Sequence, residues 1–193
     1  LNDLDHHVAS TFEDTLEALS RAGASITEVN SSMYEEIPAA MPNGGILGAE
    51  AFAHHRPRMD EFKDSYDPRV WIRIRRGENL SAADLIDCHR IRADIQARAA
   101  DMAMPFDALL MPTCPTVAPA IAPLDNDEDA YGAANILMLR NTTVGNFLDT
   151  CAMSIPCHAP GTGPVGLMVM VANHHDEWLA RIGLSIERAL NRG

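Results

Sequence analysis

Residues 106–123 read FDALLMPTCPTVAPAIAP, and this segment decides how the rest of the chain is interpreted. Its first half contains a short apolar run, residues 108–111, which Asp107 opens and Pro112 ends. A short apolar run bounded in this way is typical of a buried strand in an α/β sheet. We therefore predict a strand that ends abruptly at Pro112.

Four prolines follow within twelve residues, at positions 112, 115, 119 and 123. Each proline fixes its own φ angle and shifts the preceding residue towards extended geometry. The segment after the strand is therefore predicted to be a stiff, non-helical loop. Open α/β sheets bind ligands outside the carboxyl ends of their strands, so this loop is a candidate wall of a pocket. A rigid surface connector is the alternative.

The composition indicates one globular domain or part of one, because 193 residues with 47% hydrophobic content can bury a single core. The longest apolar runs, such as residues 165–172, are too short to cross a bilayer. The net charge of −12 argues against direct binding to nucleic acid or to an anionic membrane. The four cysteines lack C-x-x-C spacing and no signal segment is visible, which predicts reduced thiols, a cytoplasmic location and no metal. The chain opens on Leu1 rather than on Met, so we expect an internal start.

Helical and strand patterns alternate along the chain. A helix capped by Asp3 or Asp5 closes at Gly23, and residues 24–29 follow as a predicted strand. Further helices are predicted at about residues 46–55, 68–77, 82–102, 135–147 and 176–190, and further strands at 152–155 and 165–171. The alternation favours an α/β fold with a partial mixed, mostly parallel sheet flanked by helices. The last strand is the most apolar and is predicted to be central.

Several short motifs occur in a fixed order along the chain. They are Asp67-Pro68-Arg69-Val70 with Arg73-Ile74 and Gly77, Asp107-x-Leu109-Leu110-x-Pro112-Thr113-x-Pro115 with Ala118-Pro119, Arg140-Asn141-Thr142 with Asn146, Ser154-Ile155-Pro156, and Pro164-Val165-Gly166-Leu167. In this order and spacing the motifs resemble the C-terminal part of amidase signature hydrolases, a family that includes bacterial amidases and the A-type subunits of amidotransferases. The resemblance implies that residues 1–193 are the C-terminal portion of one amidase domain with an α/β/α fold. It also implies that the N-terminal catalytic portion lies outside this chain.

The resemblance further implies a catalytic triad of two serines and a lysine, set partly in a Gly/Ser-rich segment. This sequence contains no such segment, and it contains neither G-x-S-x-G nor H-E-x-x-H. Its one lysine, Lys63, lies in the acidic run DEFKD, which we expect to be exposed. An exposed lysine among carboxylates is poorly suited to act as a general base. We therefore predict that none of these residues is catalytic, that the chain alone is inactive, and that it needs no cofactor or metal.

Four residues are candidates for substrate binding. By resemblance, Arg73 matches a pocket arginine of amide-transfer enzymes, and a guanidinium fork suits a carboxylate or carbonyl; a solvated arginine on a helix face is the alternative. Thr113 lies where the predicted strand ends and either faces the pocket or caps backbone groups. Asn146 is predicted to be buried and is a candidate for contact with the substrate. Hydrogen bonding to loop backbone is the alternative role. His158 is placed in a loop at the pocket mouth, with a surface role as the alternative.

Three functions remain open. The first is an amidase that hydrolyses linear carboxylic amides, of small or polar type, through a serine acyl-enzyme. The second is the A-type subunit of a transamidation complex, although the charge of −12 offers no direct surface for tRNA. The third is a non-catalytic remnant that acts as an interaction module. The expected partners are the amide substrate, the N-terminal catalytic portion and a second copy in a homodimer, with no nucleic acid or membrane bound directly.

Overall fold

The computed structural model describes residues 3–191, which form seven α-helices and three β-strands. The helices are α1 (His6–Arg21), α2 (Gly45–His55), α3 (Pro68–Arg76), α4 (Ala82–Ala103), α5 (Ile121–Asp125), α6 (Glu128–Leu148) and α7 (Asp176–Leu190). The strands are β1 (Leu109–Pro112), β2 (Cys151–Pro156) and β3 (Gly166–Val171). The chain divides into two compact units: residues 31–99 form the second unit, and the described residues before 31 and after 99 form the first.

The sheet lies in the first unit, and its strands follow the order β1-β3-β2. β3 pairs antiparallel with both neighbours, so that Val169 lies opposite Leu110 on one side and Met153 on the other. The sheet of the described residues is therefore antiparallel, which corrects the mostly parallel sheet predicted from the sequence. The prediction that the most apolar strand is central is confirmed.

The connections between the strands explain the antiparallel pairing. Residues 157–165 join β2 to β3, and a link of this length is too short for a crossover, so β3 returns beside β2 in the opposite direction. β1 and β2 both run opposite to β3 and so run in the same direction as each other. Strands joined through a helical crossover commonly run in the same direction. The parallel sheet predicted from the alternation of helix and strand thus misses β3, which lies between the two strands.

One face of the sheet packs on helices α1 and α7. Alternate residues of β3, namely Leu167, Val169 and Val171, are buried in a single hydrophobic cluster. The helices contribute Phe12, Leu19, Leu179 and Ile186 to the same cluster. Full burial of a large apolar side chain stabilises a fold by about 1.5–3 kcal/mol. This cluster therefore anchors the sheet on the two helices and holds the carboxyl end of β1 in place.

Helix α1 begins where the sequence predicts, and the segment after it does not form the predicted strand. The Asp5 side chain accepts hydrogen bonds from the His7 and Val8 amides at 2.8 and 3.4 Å. Gly23 follows the helix with a φ angle of +103°, a value that favours glycine. Residues 24–28 are exposed, and no described strand pairs with them. The predicted strand at 24–29 is wrong, because a strand needs a neighbour that accepts its backbone hydrogen bonds.

The segment after β1 is partly helical. Its first part, from Thr113 to Ala120, has no regular structure, as predicted. Helix α5 then begins at Ile121 and includes Pro123, so the prediction of a non-helical loop through Pro123 is wrong at its end. Proline is compatible with the first turn of a helix because the amides of that turn have no partner within the helix.

The second unit is helical, and α3 and α4 begin where the sequence predicts. The Asp67 side chain accepts hydrogen bonds from two amides of the first turn of α3, at 2.8 and 3.1 Å. Ser81 and Asp84 form a reciprocal capping box before α4, with bonds of 3.0 and 3.1 Å. A side chain on Gly77 would overlap the carbonyl oxygen of Gly48, so α2 and the end of α3 approach this closely only because residue 77 is glycine. No helix within residues 3–191 is long and apolar enough to cross a membrane.

Candidate functional site

The carboxyl end of β1 brings two side-chain hydroxyls together. The Thr113 amide donates to the Gly166 carbonyl oxygen at 2.8 Å, which extends the pairing of β1 with β3 by one residue. Thr113 Oγ1 and Ser154 Oγ lie 2.6 Å apart, and either hydroxyl can donate. Thr113 is half-buried and Ser154 is exposed. We call these two side chains the hydroxyl pair; they reach across β3 from the two outer strands.

The hydroxyl pair depends on glycine at position 166. A Cβ atom at Gly166 would overlap the Ser154 hydroxyl and would lie 2.8 Å from Thr113 Oγ1. Contacts this short are not tolerated by ordinary side chains, so any other residue would separate the two hydroxyls. The sequence pattern predicts a role for Thr113 and does not identify Ser154 or Gly166 as its neighbours. The strand register explains why they meet: Thr113 and Pro156 both lie opposite Gly166, and Ser154 lies two residues before Pro156 on the same face of β2.

The polar residue that helix α6 buries is Asn141 rather than Asn146. Asn141 is 4% exposed, and its Nδ2 donates to the Pro112 carbonyl oxygen at 2.8 Å. Asn146 is exposed, and its carbonyl oxygen accepts a hydrogen bond from Asp149 at 3.4 Å where the helix ends. The prediction that Asn146 is buried is therefore wrong. Its substrate contact stays a prediction.

The helical spacing of residues along α6 explains why Asn141 is buried and Asn146 is exposed. Asn141, Gly145 and Leu148 are buried and lie at intervals of four and three residues, which places them on one face of the helix. A Cβ at Gly145 would lie 3.5 Å from the Met170 sulfur, so this face contacts β3. Asn146 follows Gly145 directly and therefore points away from that face. Helical spacing counted back from Leu148 would have identified Asn141 from the sequence.

His158 lies at the same end of the sheet as Thr113. It is half-buried in the loop between β2 and β3, and its Nδ1 lies 3.3 Å from the Val165 carbonyl oxygen. The Cys157 amide donates to that same oxygen at 3.0 Å. The structure thus brings the loop that carries His158 to the end of the sheet where the hydroxyl pair lies, and one imidazole nitrogen faces loop backbone.

Arg73 belongs to the second unit. It is exposed on α3, and its Nε donates to the Arg69 carbonyl oxygen at 3.2 Å. This bond directs the guanidinium along the surface of its own helix. The Asp67 cap fixes where that helix begins and therefore where Arg73 lies along it. Its role as a substrate ligand stays a prediction.

Among the described residues, neither Lys63 nor the thiols of Cys114 and Cys157 offer an activated base or nucleophile. Lys63 is exposed, and its ammonium group lies 5.3 Å from the centre of the Trp71 ring. Burial raises the pKa of the Cys114 and Cys157 thiols, so both are protonated near neutral pH and are weak nucleophiles. Within residues 3–191 no group of three or more His, Cys, Asp or Glu side chains is arranged to hold a metal ion. The chemistry that this arrangement offers is hydrogen bonding to a ligand.

A family model described as Amidase matches residues 1–179. The 2-amino-5-chloromuconic acid deaminase of Comamonas testosteroni is 28% identical over 193 residues, which cover all of this chain and 42% of that protein. The A-type subunit of the glutamyl-tRNA(Gln) amidotransferase of Sulfurisphaera tokodaii is 27% identical, over 97% of this chain and 43% of that protein. The chain therefore spans about two fifths of the length of these curated relatives.

The fold is also similar to solved structures. The crystal structure of the urea amidolyase of K. lactis superposes with a TM-score of 0.83 at 18% identity, over 96% of this chain and 11% of that one. At this identity the likeness shows the fold alone. In that structure the matched segment is a small part of a longer chain.

Proposed function

This chain belongs to the amidase family, and we propose that the full-length protein hydrolyses linear carboxylic amides through a serine acyl-enzyme. The observation that carries the proposal is the family match over residues 1–179. In this proposal residues 1–193 form the wall of the substrate pocket and the structural half of the domain. The reactive serine and its lysine base lie in the N-terminal portion. The proposal includes the cytoplasmic location and the homodimer predicted above, and the four free cysteines support the former.

The reaction divides between the two portions of the protein. A serine oxygen of the N-terminal portion attacks the amide carbonyl carbon, the C–N bond breaks, and the amine leaves with a proton. Water then cleaves the ester to give the carboxylate and the free serine. This chain binds and orients the substrate, and in the first unit the hydroxyl pair donates to a substrate oxygen. Arg73 of the second unit is proposed independently as a ligand of a substrate carboxylate or carbonyl. Hydrogen bonds of this kind lower KM more than they change kcat when they are made equally in the bound substrate and the transition state.

A panel of amides tests the proposal. The full-length protein is incubated with linear amides that differ in chain length and in the presence of a carboxylate, and the released ammonia is measured. We expect turnover of at least one small or polar amide, and a variant without the proposed serine nucleophile is the matched control. Equal ammonia release by the wild type and this control, or no turnover of any amide, would contradict the proposal. The second outcome would favour the interaction module.

The similarity to an A-type amidotransferase subunit favours one alternative, in which ammonia passes to a partner. The two functions differ in their dependence on other proteins. If the protein is an amidase, it should release free ammonia when purified alone; if it acts as an A-type subunit, ammonia release should depend on a partner. Ammonia release measured before and after addition of a co-purifying partner therefore distinguishes them. We expect that the partner leaves the rate unchanged, and a partner-dependent rate would support the alternative.

A further inference from the structure

No role has yet been given to Ser154 beyond its hydrogen bond. We propose that Ser154 is a positioning residue for substrate binding: its hydroxyl holds the Thr113 side chain over Gly166, so that the hydroxyl pair presents one O–H to a substrate oxygen. This inference rests on the proposed function, because it concerns the same pocket. It adds to that function a specific residue that acts through Thr113.

The hydrogen-bonding capacity of the pair supports this role. A hydroxyl has one O–H donor and two acceptor lone pairs. The bond of 2.6 Å between Thr113 and Ser154 uses one donor and one lone pair. One O–H and three lone pairs remain. A substrate oxygen, either carbonyl or carboxylate, can accept the remaining O–H, and hydrogen bonds in a chain polarise and strengthen one another.

The backbone on both sides of the hydroxyl pair is held by strand pairing, which lets Ser154 orient the Thr113 side chain. Ser154 lies opposite Met168 of β3, which is 4% exposed, so the serine is held in a paired strand above a packed core. The Thr113 amide is fixed to Gly166 by its own bond of 2.8 Å. Threonine otherwise has more than one accessible χ1 rotamer. A partner hydroxyl in a fixed strand selects one of them before the substrate arrives, which reduces the entropy lost on binding.

The exposure of Ser154 separates this role from a purely structural one. A hydrogen bond between exposed hydroxyls contributes little to folding, because water replaces either partner. Removal of the Ser154 hydroxyl should therefore leave the melting temperature nearly unchanged while it weakens substrate binding. A residue that only stabilised the fold would show the opposite pattern.

The test uses the full-length protein with the amide that it hydrolyses best. We expect Ser154→Ala to raise KM about fivefold, with kcat within about twofold of the wild type, because one neutral hydrogen bond is affected. Thr113→Val should have a similar effect, and the double variant should be no worse than either single variant because the two residues act as a unit. Ser154→Thr keeps the hydroxyl and should restore KM. Ser185→Ala is the matched control, since its hydroxyl donates to the Arg181 carbonyl oxygen within α7 at 2.9 Å.

The outcomes separate this inference from the proposed function. An active wild type with unchanged KM in Ser154→Ala, or additive effects in the double variant, would overturn the role of Ser154 and leave the amidase proposal intact. Failure of Ser154→Thr to restore KM in a folded protein would also overturn it. Absence of turnover by the wild type would overturn the proposed function, and this inference would fall with it.

Discussion

The side-chain amide of Asn141 on α6 donates to the carbonyl oxygen of Pro112, the last residue of β1, across 2.8 Å. The bond lies in the core, since Asn141 is 4% exposed and Pro112 is buried. It satisfies a backbone acceptor at the point where β1 ends and fixes α6 to the strand that leads to Thr113. The bond therefore links helix α6 to the end of β1, and through Pro112 to the neighbouring Thr113 of the hydroxyl pair.

The first prediction concerns the loss of this bond. Asn141→Ala leaves the buried Pro112 carbonyl without its donor, and such a loss costs about 1–3 kcal/mol. The measurement is the free energy of unfolding of the full-length protein in urea. Asn126→Ala is the control, because Asn126 Nδ2 donates to the Ala122 carbonyl oxygen at 3.2 Å in an exposed position, where its loss should matter little. Equal stability of the two variants would contradict the structural role of Asn141.

The second prediction concerns Gly166. Gly166→Ala places a methyl group against the Ser154 hydroxyl and 2.8 Å from Thr113 Oγ1. Because the Ser154 hydroxyl ends an exposed side chain and can turn into solvent, the variant should fold, lose the hydroxyl pair and raise KM for the preferred amide as Ser154→Ala does. Gly132→Ala is the control: an added Cβ meets nothing within 4 Å there, and in a helix interior the change should stabilise by about 0.5–1 kcal/mol. A wild-type KM in Gly166→Ala, or a raised KM in Gly132→Ala, would contradict the close approach at Gly166.

The local signals of the sequence account for much of this fold. The caps at Asp5 and Asp67 and the capping box at Ser81 each depend on a few neighbouring residues, and the helices behind them begin where the sequence predicts. The apolar run after Gly166 identifies the central strand for the same reason, because full burial on both faces selects apolar residues. Local composition therefore determines where these elements begin and how deeply they are buried.

Pairing between distant segments accounts for what the sequence did not predict. Residues 24–29 have a strand-like composition, but no described strand lies beside them, and composition alone does not reveal a missing neighbour. The hydroxyl pair joins residues 41 positions apart through strand register, which a single sequence does not specify. The apolar neighbours of Asn146 predict its burial, whereas the rotation of α6 decides which residue faces the sheet, and that residue is Asn141.

The third prediction tests Arg73 as a substrate ligand. Arg73→Ala in the full-length protein should raise KM about tenfold or more for an amide that carries a carboxylate, with kcat little changed, because a charge-assisted bond to bound substrate is lost. Arg73→Lys should recover only part of the affinity, since an ammonium group lacks the two-pronged geometry. Arg76→Ala, another exposed arginine of the same helix, is the control. An unchanged KM in Arg73→Ala would remove this residue from the pocket.

The fourth prediction concerns one ion pair of the second unit, between Arg98 and Glu36. Arg98 donates two hydrogen bonds to the Glu36 carboxylate, at 2.8 and 2.7 Å. These bonds, with the positive charge of Arg98, hold the pKa of Glu36 below its ordinary value of 4.5. Because the folded pKa is lowered, the pair contributes stability above the unfolded pKa and loses that contribution as the pH falls through the folded pKa.

Glu36→Gln should therefore unfold at lower urea concentration than the wild type at pH 7, and the difference should shrink as the pH falls below about 4.5. The measurement is the urea midpoint of both proteins from pH 7 to pH 3. Glu35→Gln, an exposed neighbour, is the control and should show a small difference that does not follow this trend. A wild-type advantage that stays constant across this range would contradict the ion pair.

The central claim is that these residues shape a substrate pocket whose reactive serine lies elsewhere in the polypeptide. A fluorophosphonate probe, which labels activated serine nucleophiles, tests it directly on the full-length protein, followed by peptide mapping of the adduct. We predict a single adduct on a serine outside residues 1–193, which an excess of the preferred amide prevents. An adduct on a serine of this chain, Ser154 included, would contradict the claim.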